Sequence, residues 1–379
     1  MLLALVAGCQ SGPRPRPGQP AKRIVMEPMR VEVIRGAGPA RTEAYDAASL
    51  FEEAGARLGA NDNDGAIALY EQLLERFPES TYVPPALYNA GLAAEGKGDY
   101  RAAAERYRTL VERFGETADG RDGLFRLGGT YAELKEWRPS AEVFERVLAA
   151  GGLSFSDRVE ALARKGLAHY ELGDLDQTEA AMRKAVETYK AESAMERLDS
   201  LFFVGMAYYY VGAVSHARCR QIPIRLPEAQ MGKDFNEKAR LLLQAQDEYV
   251  ATIRLRDPHW ATAAGYQLGA LFTQFHDQVL EAPVPPQLSD EAKQIYVEEV
   301  RKAFRFLIEK AVALFEKTVL MAERVGVRND WVKKTGEQLE TLRRLLTGET
   351  PADPAPVPPP APDRKPGRER DPDQPSVVL

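Results

Sequence analysis

Four stretches of the chain repeat one arrangement of apolar and polar positions. They are "LFEEAGARLGANDNDGAIALYEQLLERFP", "ALYNAGLAAEGKGDYRAAAERYRTLVERF", "LFRLGGTYAELKEWRPSAEVFERVL" and "LARKGLAHYELGDLDQTEAAMRKAV". In each, a small residue is followed sixteen positions later by a large apolar one: Ala54 and Tyr70, Gly91 and Tyr107, Gly128 and Phe144, Gly166 and Met182. A turn lies between them (Asn63-Asp64-Gly65, Gly98-Asp99, Lys135-Glu136, Gly173-Asp174), and then another small residue (Ala66, Ala103, Ser140, Thr178). Apolar spacing of three and four on both sides of each turn predicts two antiparallel helices per stretch. The small residues let the helix axes approach, and the large one fills the hole left at the crossing.

Two further units are longer. "LFFVGMAYYYVGA" reads as a first helix with Gly205 at the small position and Tyr249 as its partner, 44 positions on, which implies 28 inserted residues. "GYQLGALFTQF" offers Gly269, with Phe315 46 positions on and 30 residues inserted. From the N-cap candidate Ser289, followed by Asp290 and Glu291, nothing breaks the helical pattern until Gly326, which predicts a helix of about 54 Å. A last amphipathic helix, Asp330 to about Leu346, would cap the exposed core of the final hairpin.

This recurrence resembles the tetratricopeptide repeat, TPR, with steps of 37, 37 and 38 residues against the family's usual 34. The fold expected is all-α: a TPR-like α-solenoid of about six helical hairpins, the last two with long insertions, plus a C-terminal capping helix. The resemblance implies that the first helix of each pair lines a concave groove. Three positions before the small residue stand Phe51, Tyr88, Phe125, Ala163, Phe202 and Tyr266, and the fifth unit adds Met206, Tyr209 and Tyr210. As a set they form an aromatic ladder for an extended or helical peptide; position by position, packing half-buried against the next repeat is the favoured reading of each ring.

Charge narrows the partners. The net charge is −6, but residues 10–40 carry +4, so the body is strongly acidic and unlike a nucleic-acid-binding surface. "NDNDG" matches part of an EF-hand loop, yet Ala60 stands at the first ligand position, and the segment reads as the turn of the first hairpin. "SHARCRQIPIRLPEAQMGKD" gathers His216, Arg218, Cys219, Arg220 and Arg225; it reads as a basic docking loop or as a connector clipped to the array by Ile222, Ile224 and Leu226. His216 with Cys219 lacks the further ligands of a zinc site. No nucleophile elbow, phosphate loop, dinucleotide fingerprint or zinc-protease signature occurs, so neither an enzyme, a cofactor, a metal nor a small-molecule substrate is expected.

The two ends set the location. "LVAGC" resembles a bacterial lipobox, in which the small residues give a peptidase access and the thiol of Cys9 takes a diacylglycerol. Eight residues without Lys or Arg precede Cys9, so either the basic part of such a signal lies upstream or this is an ordinary N-terminus that happens to match; the Pro-broken stretch that follows favours the first. Residues 1–9 are accordingly read as a signal-peptide remnant, 10–40 as a flexible Pro-broken tether, 41–197 as a regular array, 198–347 as an extended helical region with its cap, and 348–379 as a Pro-rich disordered tail. Taken together, Cys9 and the repeats at 47–188 resemble the TPR outer-membrane lipoproteins of Gram-negative bacteria. The second half ("ARLLLQAQDEYVATIRLRDPHWATAAGYQLGALF", "VLMAERVGVRNDWVKK") resembles those of the myxobacterial gliding-motility type. The resemblance implies a lipid-anchored, periplasm-facing scaffold for other envelope proteins; a cytosolic adaptor without lipid is the alternative, and an enzyme with its site in the two insertions ranks behind both.

Overall fold

The computed structural model of the chain describes residues 29–34 and 41–347; Cys9, most of the tether and the Pro-rich tail lie outside them. A two-stranded antiparallel ribbon comes first, β1 (Met29–Ile34) and β2 (Arg41–Asp46), in a register that sets Met29 opposite Asp46. It falls partly in the segment read as a tether, whose alternating "RVEVI" is a strand signal. Helices follow: α1 (Ala47–Gly59), α2 (Asn63–Arg76), α3 (Val83–Gly96), α4 (Tyr100–Phe114), α5 (Ala118–Glu133), α6 (Trp137–Ala150), α7 (Phe155–Glu171) and α8 (Leu175–Glu192). Then come α9 (Phe202–Gln221), α10 (Glu228–Arg254), α11 (Pro258–Leu280), α12 (Asp290–Val325) and α13 (Asp330–Thr347). The fold is all-α, built of TPR-like hairpins, as the repeat pattern predicts.

The described residues form two compact units, one ending within α11 at Ala264 and the other holding 224–231 and the chain from Gly265 onward. That division differs from the boundary read at 197/198, because α9 packs directly on α7 and α8 and continues the first unit.

Within that unit the second, third and fourth hairpins close as their small–large pairs require. A Cβ added to Gly91 would sit 2.5 Å from the Tyr107 ring, one on Gly128 2.9 Å from Phe144, and one on Gly166 2.8 Å from Met182. The plugs Tyr70, Tyr107, Phe144 and Met182 are all fully buried. Ser140, the small residue of α6, also donates its hydroxyl to the Gly128 carbonyl, 2.9 Å away. Of "NDNDG", Asn61 and Asp62 make the turn, whereas Asn63-Asp64-Gly65, read as the turn, are already the first turn of α2: Asp62 accepts from the Gly65 amide at 3.0 Å and pairs with Arg57 at 3.0 Å.

Second helices start on a shared device. Asp62, Asp99 and Asp174 each accept the N3 amide of α2, α4 and α8. Glu136 holds the same place and nearly the same backbone angles before α6, yet its side chain makes no cap, because the extra methylene carries the carboxylate past the amides. Glu136→Asp is therefore expected to raise stability by about 0.5–1 kcal/mol, and Asp174→Ala to lower it by about 1 kcal/mol, both read by urea unfolding.

The fifth hairpin corrects the sequence reading. Gly205 does not meet Tyr249; a Cβ there would sit 2.7 Å from Trp260, while Gly212 faces Tyr249 at 3.0 Å. The inserted length is therefore 21 residues rather than 28, since Gly212 and Tyr249 stand 37 positions apart where a regular pair stands sixteen. The additional length is helix, with α9 running 20 residues and α10 running 27. The supposed basic loop divides between the end of α9, a connector at 222–227 and the start of α10; in α9, His216 and Cys219 are buried, and Arg218 pairs with Asp176 at 2.6 Å and with Glu179 on α8. In the second unit, Gly269 meets Phe315 and Gly265 meets Thr318. α12 starts on the Ser289 cap and stops at Gly326, whose φ of 68° suits glycine's freedom in the left-handed region. α13 covers α12 with Leu339 and Leu342 buried and Arg343 2.6 Å from Glu316.

Candidate functional site

The first helices α3, α5 and α7 pack side by side, and their exposed faces bound a groove of about 1160 Å³. Tyr88, Leu92, Phe125 and Leu153 supply its apolar floor, with Tyr100 at one edge. Charged groups stand among them. Arg126 reaches Glu95 at 3.1 Å, and the Thr130 hydroxyl donates to the other oxygen of the same carboxylate at 3.2 Å. Arg164 pairs with Glu160 at 2.6 Å and lies 5.0 Å over the Phe203 ring. Beneath the floor, burial and the neighbouring Glu95 push the Tyr107 hydroxyl far above its ordinary range.

Of the eight aromatic and Met positions read as a ladder, Tyr88 and Phe125 line this groove. What the structure brings together instead is a ring pair inside five of the hairpins, the α7–α8 hairpin having Ala163 and Met182 at those places. The ring three positions before the small residue leans on its own plug: Phe51 on Tyr70 at 5.8 Å, Tyr88 on Tyr107 at 5.9 Å, Phe125 on Phe144 at 5.6 Å, and Tyr209 on Tyr249 at 5.8 Å. In the second unit Tyr266 takes the same place against Phe315 at 6.0 Å, with Trp331 on it at 5.6 Å. Such edge-on and tilted pairs add to the area they bury.

Two positions need correction as contact surface. Met206 and Tyr209 are only 6% and 5% exposed, because α9 is covered on several sides. Phe202 and Tyr210, half-buried, both lean on Trp260, at 5.4 and 6.0 Å; Tyr210 also meets Tyr170 at 4.8 Å, and burial holds its hydroxyl far above the usual range. The groove's arginines went unread, although Arg126 and Arg164 recur two positions before Gly128 and Gly166, a recurrence the pattern contained.

Among the described residues no helix is long and apolar enough to cross a membrane. No curated protein matches the chain in sequence. Among solved structures it is similar to a tetratricopeptide repeat protein from Parabacteroides merdae ATCC 43184, at 15% identity over 78% of this chain and 98% of that one, TM-score 0.42. It is also similar to MamA, residue 41 to the end, from Desulfovibrio magneticus RS-1, at 16% identity over 53% of this chain and 96% of that one, TM-score 0.36. Family models described as tetratricopeptide repeat match residues 45–80, and 88–154 with 136–193. Over residues 45–80 and 88–193 the chain is thus similar to tetratricopeptide repeats.

Proposed function

We propose that the protein is a non-catalytic scaffold that holds protein partners in the α3–α5–α7 groove, anchored to the outer membrane through a lipidated Cys9 and facing the periplasm. The groove carries the reading. It is an open concavity on the first helices of three repeats, floored by rings whose backs are locked against buried plugs. Rings held in this way give contact area at low entropic cost when a peptide docks. The lipobox-like "LVAGC" supports the anchor, since two or more acyl chains bury enough methylene to hold a protein durably at a bilayer. An envelope complex of motility or outer-membrane assembly is the setting that the resemblance of the chain suggests.

The test uses residues that line the groove without plugging a hairpin. Leu92→Asp with Tyr100→Asp should abolish co-purification of the partner from detergent-solubilised envelopes while helical circular dichroism stays unchanged; a retained partner would end the groove reading. Labelled palmitate should enter the protein and be lost in Cys9→Ser with the upstream sequence restored. A protein that takes no label would be the cytosolic adaptor instead.

A further inference from the structure

The groove's charges do not balance. Two of its three arginines are spent on groove acids, Arg126 on Glu95 and Arg164 on Glu160. The third, Arg121, donates to the Glu116 carbonyl at 2.8 Å. Against it stand three more carboxylates lining the same concavity: Asp122, Glu133 and Asp157. Asp157 is occupied locally by the Ser154 hydroxyl at 2.7 Å, whereas exposed Asp122 and Glu133 form no ion pair with any described residue. The groove is therefore an aromatic-floored channel with surplus negative charge.

One segment of the chain has the complementary chemistry. Residues 14–23, "RPRPGQPAKR", hold Arg14, Arg16, Lys22 and Arg23 with no acidic residue between them. Alternating prolines favour a polyproline II conformation, and such segments dock in aromatic-lined grooves with little entropy to lose. Arginine adds bidentate pairing to carboxylates. The register supplies reach. Met29 lies opposite Asp46, the N-cap of α1, so Arg23 is six residues from the start of the first helix, about 20 Å of extended chain. α1 packs on α3 and α3 on α5, and helices packed in this way lie about 8–10 Å apart. The groove is within that span.

We propose that residues 14–23 dock in cis in the α3–α5–α7 groove, so that the chain's own basic segment competes with any partner for it. The inference rests on the groove being a peptide-binding surface. When the segment is drawn away, the groove opens; when no partner is present, the segment covers the floor. A partner that displaces it must supply cationic groups of its own or a larger apolar contact.

The full chain is tested with Pro17 replaced by benzoylphenylalanine, irradiated as a mixture of isotopically light and heavy protein. Cross-links should join position 17 to peptides between residues 88 and 164 of the same chain. Asp122→Lys with Glu133→Lys, both exposed, should lower their yield about five-fold or more. The reversal of Arg14, Arg16, Lys22 and Arg23 to Glu should do the same, and the two sets combined should restore it. Cross-links elsewhere on the chain, cross-links only between light and heavy chains, or a yield blind to charge reversal would each overturn the proposal. The readout is independent of outside partners: a failed cross-link leaves partner capture by the groove standing, and a lost partner leaves the cross-link to be read on its own.

Discussion

Tyr249→Ala is expected to destabilise the first compact unit by about 3–5 kcal/mol, the range for emptying a large aromatic site in a packed core. Tyr249 is fully buried, with its ring against Gly212 and against Tyr209, and its hydroxyl 3.3 Å from His216 Nδ1. The Phe variant keeps the ring and loses the hydroxyl contact, so it should cost about 1 kcal/mol. A double-mutant cycle locates the partner. Gly212→Ala with Tyr249→Leu should be non-additive by 0.5 kcal/mol or more, roughly the threshold for residues in contact. Gly205→Ala should add independently to Tyr249→Leu and couple to Trp260 instead. Urea unfolding followed by helical circular dichroism reads all of these, the Trp260 variants included. Coupling of Gly205 to Tyr249 would restore the register first read from the sequence and sink the one described here.

That register marks the limit of what the sequence carried. The four regular hairpins were legible because each alternates a buried stripe with a solvated one, so that Gly91 or Gly128 has only one place to sit. α9 has no such contrast. Val204, Met206, Ala207, Val211, Ala213 and Val214 are all buried, on several sides of the helix. Gly205 and Gly212 are two turns apart on one face, and spacing cannot choose between them. The long α12 was legible for the opposite reason: a hydroxyl cap, an uninterrupted periodic run and a terminal glycine agree. Phe51, Tyr88, Phe125 and Tyr266 were placed at the correct turn of their first helices and Phe202 was not, and a period identifies the helix side and not whether the ring faces solvent or its own plug. The ion pairs Arg126–Glu95 and Arg158–Glu192 (3.1 and 2.5 Å) join residues more than thirty positions apart, a separation that local pattern does not reach.

Lys238→Met is the second large effect expected, at about 2–4 kcal/mol of lost stability. Lys238 is fully buried, and its ammonium donates to the carbonyls of Cys219 and Ile222, both at 2.7 Å. These are carbonyls at the C-terminal end of α9, where no further turn of helix supplies an amide, and the ammonium also meets the negative end of the helix dipole. Methionine fills the space but leaves both oxygens buried without their donor, at about 1–3 kcal/mol each, offset by the relief of an interior charge. The pH dependence separates this account from a simple packing loss. Burial pulls the Lys238 pKa below its ordinary value, against the opposing pull of Cys219 and Asp234. Between that lowered value and about 10.4, the unfolded chain binds the proton that the folded chain has released. Stability conferred by this group therefore rises with pH through that window and levels off above it. Tyr249 and Tyr210, pushed up by burial, act oppositely: their contribution is complete below about pH 10 and is lost above it. Only the difference between wild type and Lys238→Met isolates the lysine, and that difference should widen as the pH climbs toward about 10. A difference that is flat or narrows over this range would mean that Lys238 serves α9 by its volume alone.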